Sequence, residues 1–228
     1  MNILEIVSAI ENDISQGVGS SNFRVPQEQI RDMVHVTRAS LIEQLQQQKT
    51  NRVPLSGVFF NTIIVNLEEI PPEIFDHDSL LHAQQSEIPR CLWKGNIPMV
   101  NYAGDFDRNL AYRITTVNDY LNVVHNEFTA NIPTCWIEPH RVVVFNDSVD
   151  RFKIRGCWFD PDALLDIESD YTELMPYPAS GLVIDNIIKL VGKHFIEQYF
   201  RMQPHQKDGL LDTQGLEQLD ARTGVQPK

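Results

Sequence analysis

The only His/Asp cluster in the 228-residue chain is Asp76-His77-Asp78 with His82. Imidazole and carboxylate together can hold a divalent metal, and a bound metal can activate water for hydrolysis. The cluster follows Pro71-Pro72 in loop-like sequence, and no second His-containing group has ligand spacing around it. A solvated loop is the ordinary reading. A metal-dependent hydrolase centred on Asp76, His77, Asp78 and His82 is the enzymatic alternative. The acids Asp160, Asp162, Asp166, Glu168, Asp170 and Glu173 form a second group. They lack the glycine and the terminal glutamate that an EF-hand loop needs, which predicts a charged surface loop. Asp105-Phe106-Asp107 is a lone DxD in a chain with 31 acidic residues, where such pairs arise by chance.

Other chemistries fail at the level of spacing. There is no phosphate-cradling glycine loop, no nucleophile elbow and no HExxH. Cys91, Cys135 and Cys157 are an odd number without a CxxC pair, so reduced thiols are expected rather than a disulfide framework or zinc site. Cys157 lies in a strand pattern and reads as core. The residues predict no catalytic group, no metal and no cofactor.

The elements that would position any site are clearer. Ile3, Ile6, Val7, Ile10 and Ile14 recur at helical spacing, and Gly17-Val18-Gly19 ends that run. A second helix is predicted from Pro26 to Lys49, with the stripe Ile30, Met33, Val34, Thr37, Leu41 and Leu45. Its other face is rich in Arg and Gln, including Arg31, Arg38 and Gln44. A third helix is predicted from Ala179 to Arg201, and its apolar surface exceeds what a one-sided helix needs. Tyr177-Pro178-Ala179-Ser180 leads into it, with Pro178 biasing Tyr177 to extended geometry.

Between these helices lie β-type segments. Gly57–Phe60 with Thr62–Val65 reads as one extended segment, and Ser86-Glu87-Ile88-Pro89 is an extended element approaching another. Short strands are expected at Cys91–Trp93 and Met99–Tyr102, split by Gly95-Asn96. Thr134–Ile137 and Arg141–Phe145 predict a hairpin, and Lys153–Phe159 a third strand beside it. A further helix is expected over Thr116–Phe128. The fold class is α+β: helices packed with a small antiparallel β-sheet, plus an extended C-terminal arm. The expected divisions are 1–25 (helix and linker), 26–202 (main domain, with a β-rich insertion over about 57–160 and the back helix at 179–201) and 203–228 (an arm, flexible in the chain alone).

The formal net charge is −12. Residues 1–65 carry 6 acids and 5 bases, 66–170 carry 18 and 8, and 171–228 carry 7 and 6, so the middle segment alone has a net charge of −10. Such a field opposes gripping nucleic acid, but suits a surface past which DNA slides. Met1–Val7 carries Glu5 and no basic run, which predicts no signal peptide. No apolar run reaches membrane-spanning length.

Several of these pieces stand in a familiar order. Arg38-Ala39-Ser40-Leu41-Ile42-Glu43-Gln44 comes first, then the stretch Gly57 to Leu67, then Ser86-Glu87-Ile88-Pro89. Strands ending near Phe159-Asp160-Pro161 follow, and Asp170 … Tyr177-Pro178-Ala179-Ser180 leads into Ile184-Asp185-Asn186-Ile187-Ile188. Over about residues 26–205 the chain resembles the ring, or head-to-tail connector, proteins of short-tailed bacteriophages, including crAss-like phages. It departs from them in lacking a cysteine in Asn61–Leu67 and in carrying the polar arm.

The resemblance implies a non-enzymatic virion protein of the neck, between capsid and tail. Its partners would be further copies of itself in a cyclic ring of about twelve, the portal protein above, and other tail or neck proteins. DNA would pass non-specifically through an acidic channel, and no membrane would be involved. Another tail structural component is the alternative within this class. Subunit contacts are expected at Leu182, Ile187, Val191 and Phe195 of the back helix and at Leu210, Leu211, Leu216 and Leu219 of the arm.

Overall fold

A computed structural model describes residues 1–19, 23–48, 56–70, 83–116, 132–145 and 147–202. The Asp76-His77-Asp78/His82 cluster lies outside the described residues, as do nearly all of the helix expected at Thr116–Phe128 and the arm with its four leucines.

Helix α1, Ile3–Val18, starts in a capping box. The Asn2 Oδ1 accepts from the Glu5 N–H and the Glu5 carboxylate accepts from the Asn2 N–H, each at 2.9 Å. It ends at Gly19, whose left-handed backbone (φ 62°) lets its N–H reach the Ser15 carbonyl. Helix α2 spans Gln27–Gln48 and α3 spans Gly181–Met202. Each of α1 and α2 packs on α3, which is the central helix. Ile3, Ile6 and Ile10 of α1, Ile30, Val34 and Ile42 of α2, and Ile187, Val191 and Phe195 of α3 share one apolar cluster. Each fully buried side chain of this kind stabilises the fold by about 1.5–3 kcal/mol.

The strands, in chain order, are β1 Asn61–Asn66, β2 Glu68–Glu69, β3 Ala83–Glu87, β4 Trp93–Lys94, β5 Ile97–Pro98, β6 Val100–Asp105, β7 Arg113–Thr115, β8 Thr134–Ile137, β9 Arg141–Phe145, β10 Arg151–Gly156 and β11 Glu168–Ser169. They form a four-stranded antiparallel sheet, β11-β1-β10-β6, and a five-stranded sheet, β2-β3-β9-β8-β7, in which only β7 and β8 run parallel. β4 and β5 make a small hairpin around Gly95-Asn96. The fold class is α+β, as the sequence predicts, but with two principal sheets rather than one.

The expected hairpin is present: β8 and β9 pair in register from Thr134↔Phe145 to Ile137↔Val142. The expected third strand does not join it. β10 sits in the other sheet, between β1 and β6. The cause lies in residues 147–150. Val149 is buried, and its N–H donates to the Gln84 side chain at 2.8 Å. The Asp150 carbonyl accepts from the Leu67 N–H. The chain therefore crosses from one sheet to the other, and Phe152 and Ile154 join Ile63, Ala103, Val142 and Val144 in the cluster shared by both sheets. Gly57–Phe59, read as extended, is a 3-10 turn that leads into β1.

Candidate functional site

Helix α2 buries more than its apolar stripe. Arg38, expected on the polar face, is fully buried beneath the junction where α3 begins. Its Nε donates to the Pro178 carbonyl at 2.8 Å, Nη1 to the Trp158 carbonyl at 2.7 Å, and Nη2 to the Phe59 carbonyl at 3.4 Å. The fork thus ties α2 to the turn before β1, the exit of β10 and the start of α3. The guanidinium also lies 5.7 Å from the centroid of the Tyr177 ring. A planar group with five fixed donors can join three carbonyls at once, whereas a lysine ammonium cannot reproduce that fork.

One turn away, His35 continues the network. Its Nδ1 is 2.8 Å from the Tyr177 hydroxyl and its Nε2 is 3.0 Å from Asp162 Oδ2. The carboxylate only accepts, so Nε2 carries a proton, and in a neutral ring Nδ1 accepts from the tyrosine. Arg31 bonds to Glu173, and its Nε lies 3.5 Å from Asp162. Asp162 is therefore no free surface acid, contrary to the sequence reading of its loop. Burial disfavours its ionised form, but the hydrogen bond and charge of His35 and the charge of Arg31 outweigh burial and set its pKa below the usual carboxylate range.

His35, Asp160 and Asp162 present ligand atoms within 4.8 Å of one another. In that group the ring proton of His35 and the charge of Arg31 already face Asp162. These contacts make a hydrogen-bonded brace, in which Asp162 Oδ1 and Arg31 Nε are buried without a hydrogen-bond partner among the described residues. Its acid response follows from the sign of the shift. A depressed carboxylate adds stability above its unfolded pKa, near 3.9, and loses it as pH falls through the lower folded value. Asp162→Asn should therefore lower the melting temperature at pH 7 and flatten the loss of stability below about pH 4, both readable in a thermal melt series.

The thiols are closed to chemistry. All three are buried, and burial pushes Cys91 and Cys135 up to about 12 and raises Cys157, with Arg38 partly opposing it. The native protein should take up no thiol reagent at pH 8, and the unfolded chain all three equivalents. Fast labelling of the native protein would contradict the burial.

A second surface lies between α2 and α3. It is a groove of about 460 Å³ lined by the apolar Met33, Val36, Leu41, Leu190 and Val191 and by the polar Thr37, Ser40, Gln44 and His194. Val36 and Leu190 are each 49% exposed, and Leu182 near the start of α3 is 70% exposed. Of the contacts expected on α3, Leu182 thus stands at the surface, while Ile187, Val191 and Phe195 pack within the subunit's own core.

The sequence reading missed the Arg38–Tyr177–His35–Asp162 network because its members are spread over more than 120 residues and, taken singly, look like helix polarity and loop punctuation. The signal available was the order of short segments around Arg38, Phe159-Asp160-Pro161 and Tyr177-Pro178, which the fold brings together. No helix among the described residues is long and apolar enough to cross a membrane. No curated protein matches the chain. A family model described as phage tail ring protein 2 matches residues 5–207, a span containing nearly all of the three described helices, the two principal sheets and the Arg38 network. That span is most of the chain, and the chain belongs to this family of crAss-like phage tail ring proteins.

Proposed function

We propose that the chain is the subunit of a head-to-tail connector ring without catalytic activity, in which about twelve copies dock under the portal protein and continue the DNA channel toward the tail. In a family of tail rings, the observation that carries this reading is the unpartnered apolar groove between α2 and α3. Contiguous exposed apolar surface of this kind marks a contact site. In a closed ring the contacts are head-to-tail, so the groove of one copy meets a different surface of the next.

Residues 203–228 supply that second surface. Leu210, Leu211, Leu216 and Leu219 alternate there with Asp208, Asp212, Glu217 and Asp220, while exposed Lys189 and Lys193 stand on α3. Leu182 adds to the contact, and Ile187, Val191 and Phe195 support it from beneath. Four leucines cannot alone offset an ordering cost of about 1–2 kcal/mol per residue, so the segment gains its order from the neighbour. The net charge of −10 over residues 66–170 suits a wall that DNA passes without adhering. The subunit then sits in the neck of the virion, with the portal and other tail proteins as partners.

Native mass spectrometry of the isolated chain should give a monomer or small oligomer, and addition of portal should give a cyclic assembly. Deleting residues 206–228 should leave a folded monomer that enters particles poorly. A stable symmetric dimer as the only assembled form, or normal incorporation of the truncated chain, would overturn the proposal.

A further inference from the structure

The solvent face of the four-stranded sheet carries charge opposite to that of the segment containing it. Residues 66–170 hold only eight bases, yet three of them, Arg151, Lys153 and Arg155, alternate along β10. Alternation places them on one face, about 7 Å apart, while Phe152 and Ile154 turn into the core. Register sets their neighbours: Arg155 stands between Thr62 and Tyr102, and Lys153 between Ile64 and Gly104. Aromatic rings lie among the cations. The Arg151 guanidinium is 4.3 Å from the Phe106 centroid and the Lys153 ammonium 5.8 Å from that of Tyr102.

Arg151 is neutralised by Glu168 at 2.6 Å. Lys153 and Arg155 instead line a cleft of about 340 Å³ with Thr62, Asn101, Tyr102 and Asn109. Every side chain of that lining is a cation, a hydroxyl or an amide, and none is acidic. The Tyr102 hydroxyl is shut off from water and has no hydrogen-bond partner. Asn109 reaches the cleft from a loop folded back on β6, with left-handed backbone geometry (φ 51°). That loop is held by the Asp105 carboxylate, which accepts from the Asp107 and Arg108 N–H groups. Gly104 permits the return: a Cβ there would lie 2.1 Å from the Leu110 carbonyl oxygen and 2.9 Å from the Tyr102 hydroxyl.

We infer that this cleft is a phosphate-binding site, and that the phosphate belongs to the backbone of DNA. A donor set without an acid fits an oxyanion that offers several acceptors. Lys153 and Arg155, the two cations of the strand that have no carboxylate partner among the described residues, stand about 7 Å apart with the Tyr102 ring beside them, an arrangement that suits a charged backbone carrying flat bases. In an otherwise acidic wall such a site makes a brief local contact rather than a grip. The role in the channel rests on the ring reading above; the site itself does not.

The test is fluorescence anisotropy of a short labelled DNA duplex at low salt with the full-length chain. Weak, salt-dependent binding is expected. Lys153→Glu with Arg155→Glu should lower affinity at least about tenfold and reduce the salt slope by about 2, as should the neutral pair Lys153→Met with Arg155→Met, to a smaller degree. Arg113→Glu, an exposed cation on β7, should change affinity less than about twofold. Absence of wild-type binding, or unchanged binding in a folded double variant, would overturn the site. Polyglutamate binding as tightly as the duplex would identify an acidic-protein docking surface instead and also overturn it. Failure here with a ring present in the neck removes the site and leaves the ring reading. Duplex binding through Lys153 and Arg155 by a chain absent from the neck removes the ring reading and leaves the site.

Discussion

Replacing Arg38 with alanine is expected to destabilise the subunit by about 3–5 kcal/mol, the largest effect of any single polar substitution among the described residues. The guanidinium is fully buried and joins the carbonyls of Phe59, Trp158 and Pro178. Removing it leaves three acceptors from three separate segments without their charged donor, together with a cavity the size of a long side chain. Arg38→Lys should recover little, because one ammonium cannot span the three carbonyls. Chemical denaturation of the variants measures this directly. A loss below about 1 kcal/mol for Arg38→Ala would mean that the three segments are held by apolar contact alone.

The second large effect is on assembly. Val36 and Leu190 both line the groove between α2 and α3 and are half exposed, so charge placed there costs the monomer little. Leu190→Glu combined with Val36→Glu should leave the melting temperature of the isolated chain within a few degrees of wild type. Incorporation into particles should fall at least about tenfold, because an unpaired carboxylate would be buried at the ring contact. The same two charges placed at exposed Gln16 and Gln29 should be silent. Quantifying the chain in purified particles distinguishes the two sets. Normal incorporation of the groove variant would place the ring contact elsewhere.

These two effects bear on what could be read from the chain without coordinates. The three described helices were legible because their apolar residues recur at 3.6-residue spacing, whereas the capping pair of α1, Asn2 and Glu5, went unread although both residues stand in the sequence. The β8–β9 hairpin was legible because its strands are adjacent and rich in β-branched and aromatic residues. The place of β10 was not. Its apolar pattern is equally compatible with either sheet, and only the buried Val149 and the Gln84 side chain fix the crossing. Arg38 was hidden for a related reason. Composition assigns an arginine to solvent, and only tertiary structure supplies three carbonyls that make its burial favourable. The contacts expected at Ile187, Val191 and Phe195 followed from apolarity alone, which does not tell a subunit's own core from the surface that meets a neighbour.

Electron cryomicroscopy of intact particles, with symmetry determined locally at the neck, reads both where the chain sits and how its copies are arranged. A closed ring of this chain is expected beneath the portal, coaxial with the DNA channel, with the α2–α3 groove of each copy filled by residues 203–228 of the next. A ring of this chain elsewhere in the tail, or neck density into which the chain does not fit, would contradict that expectation.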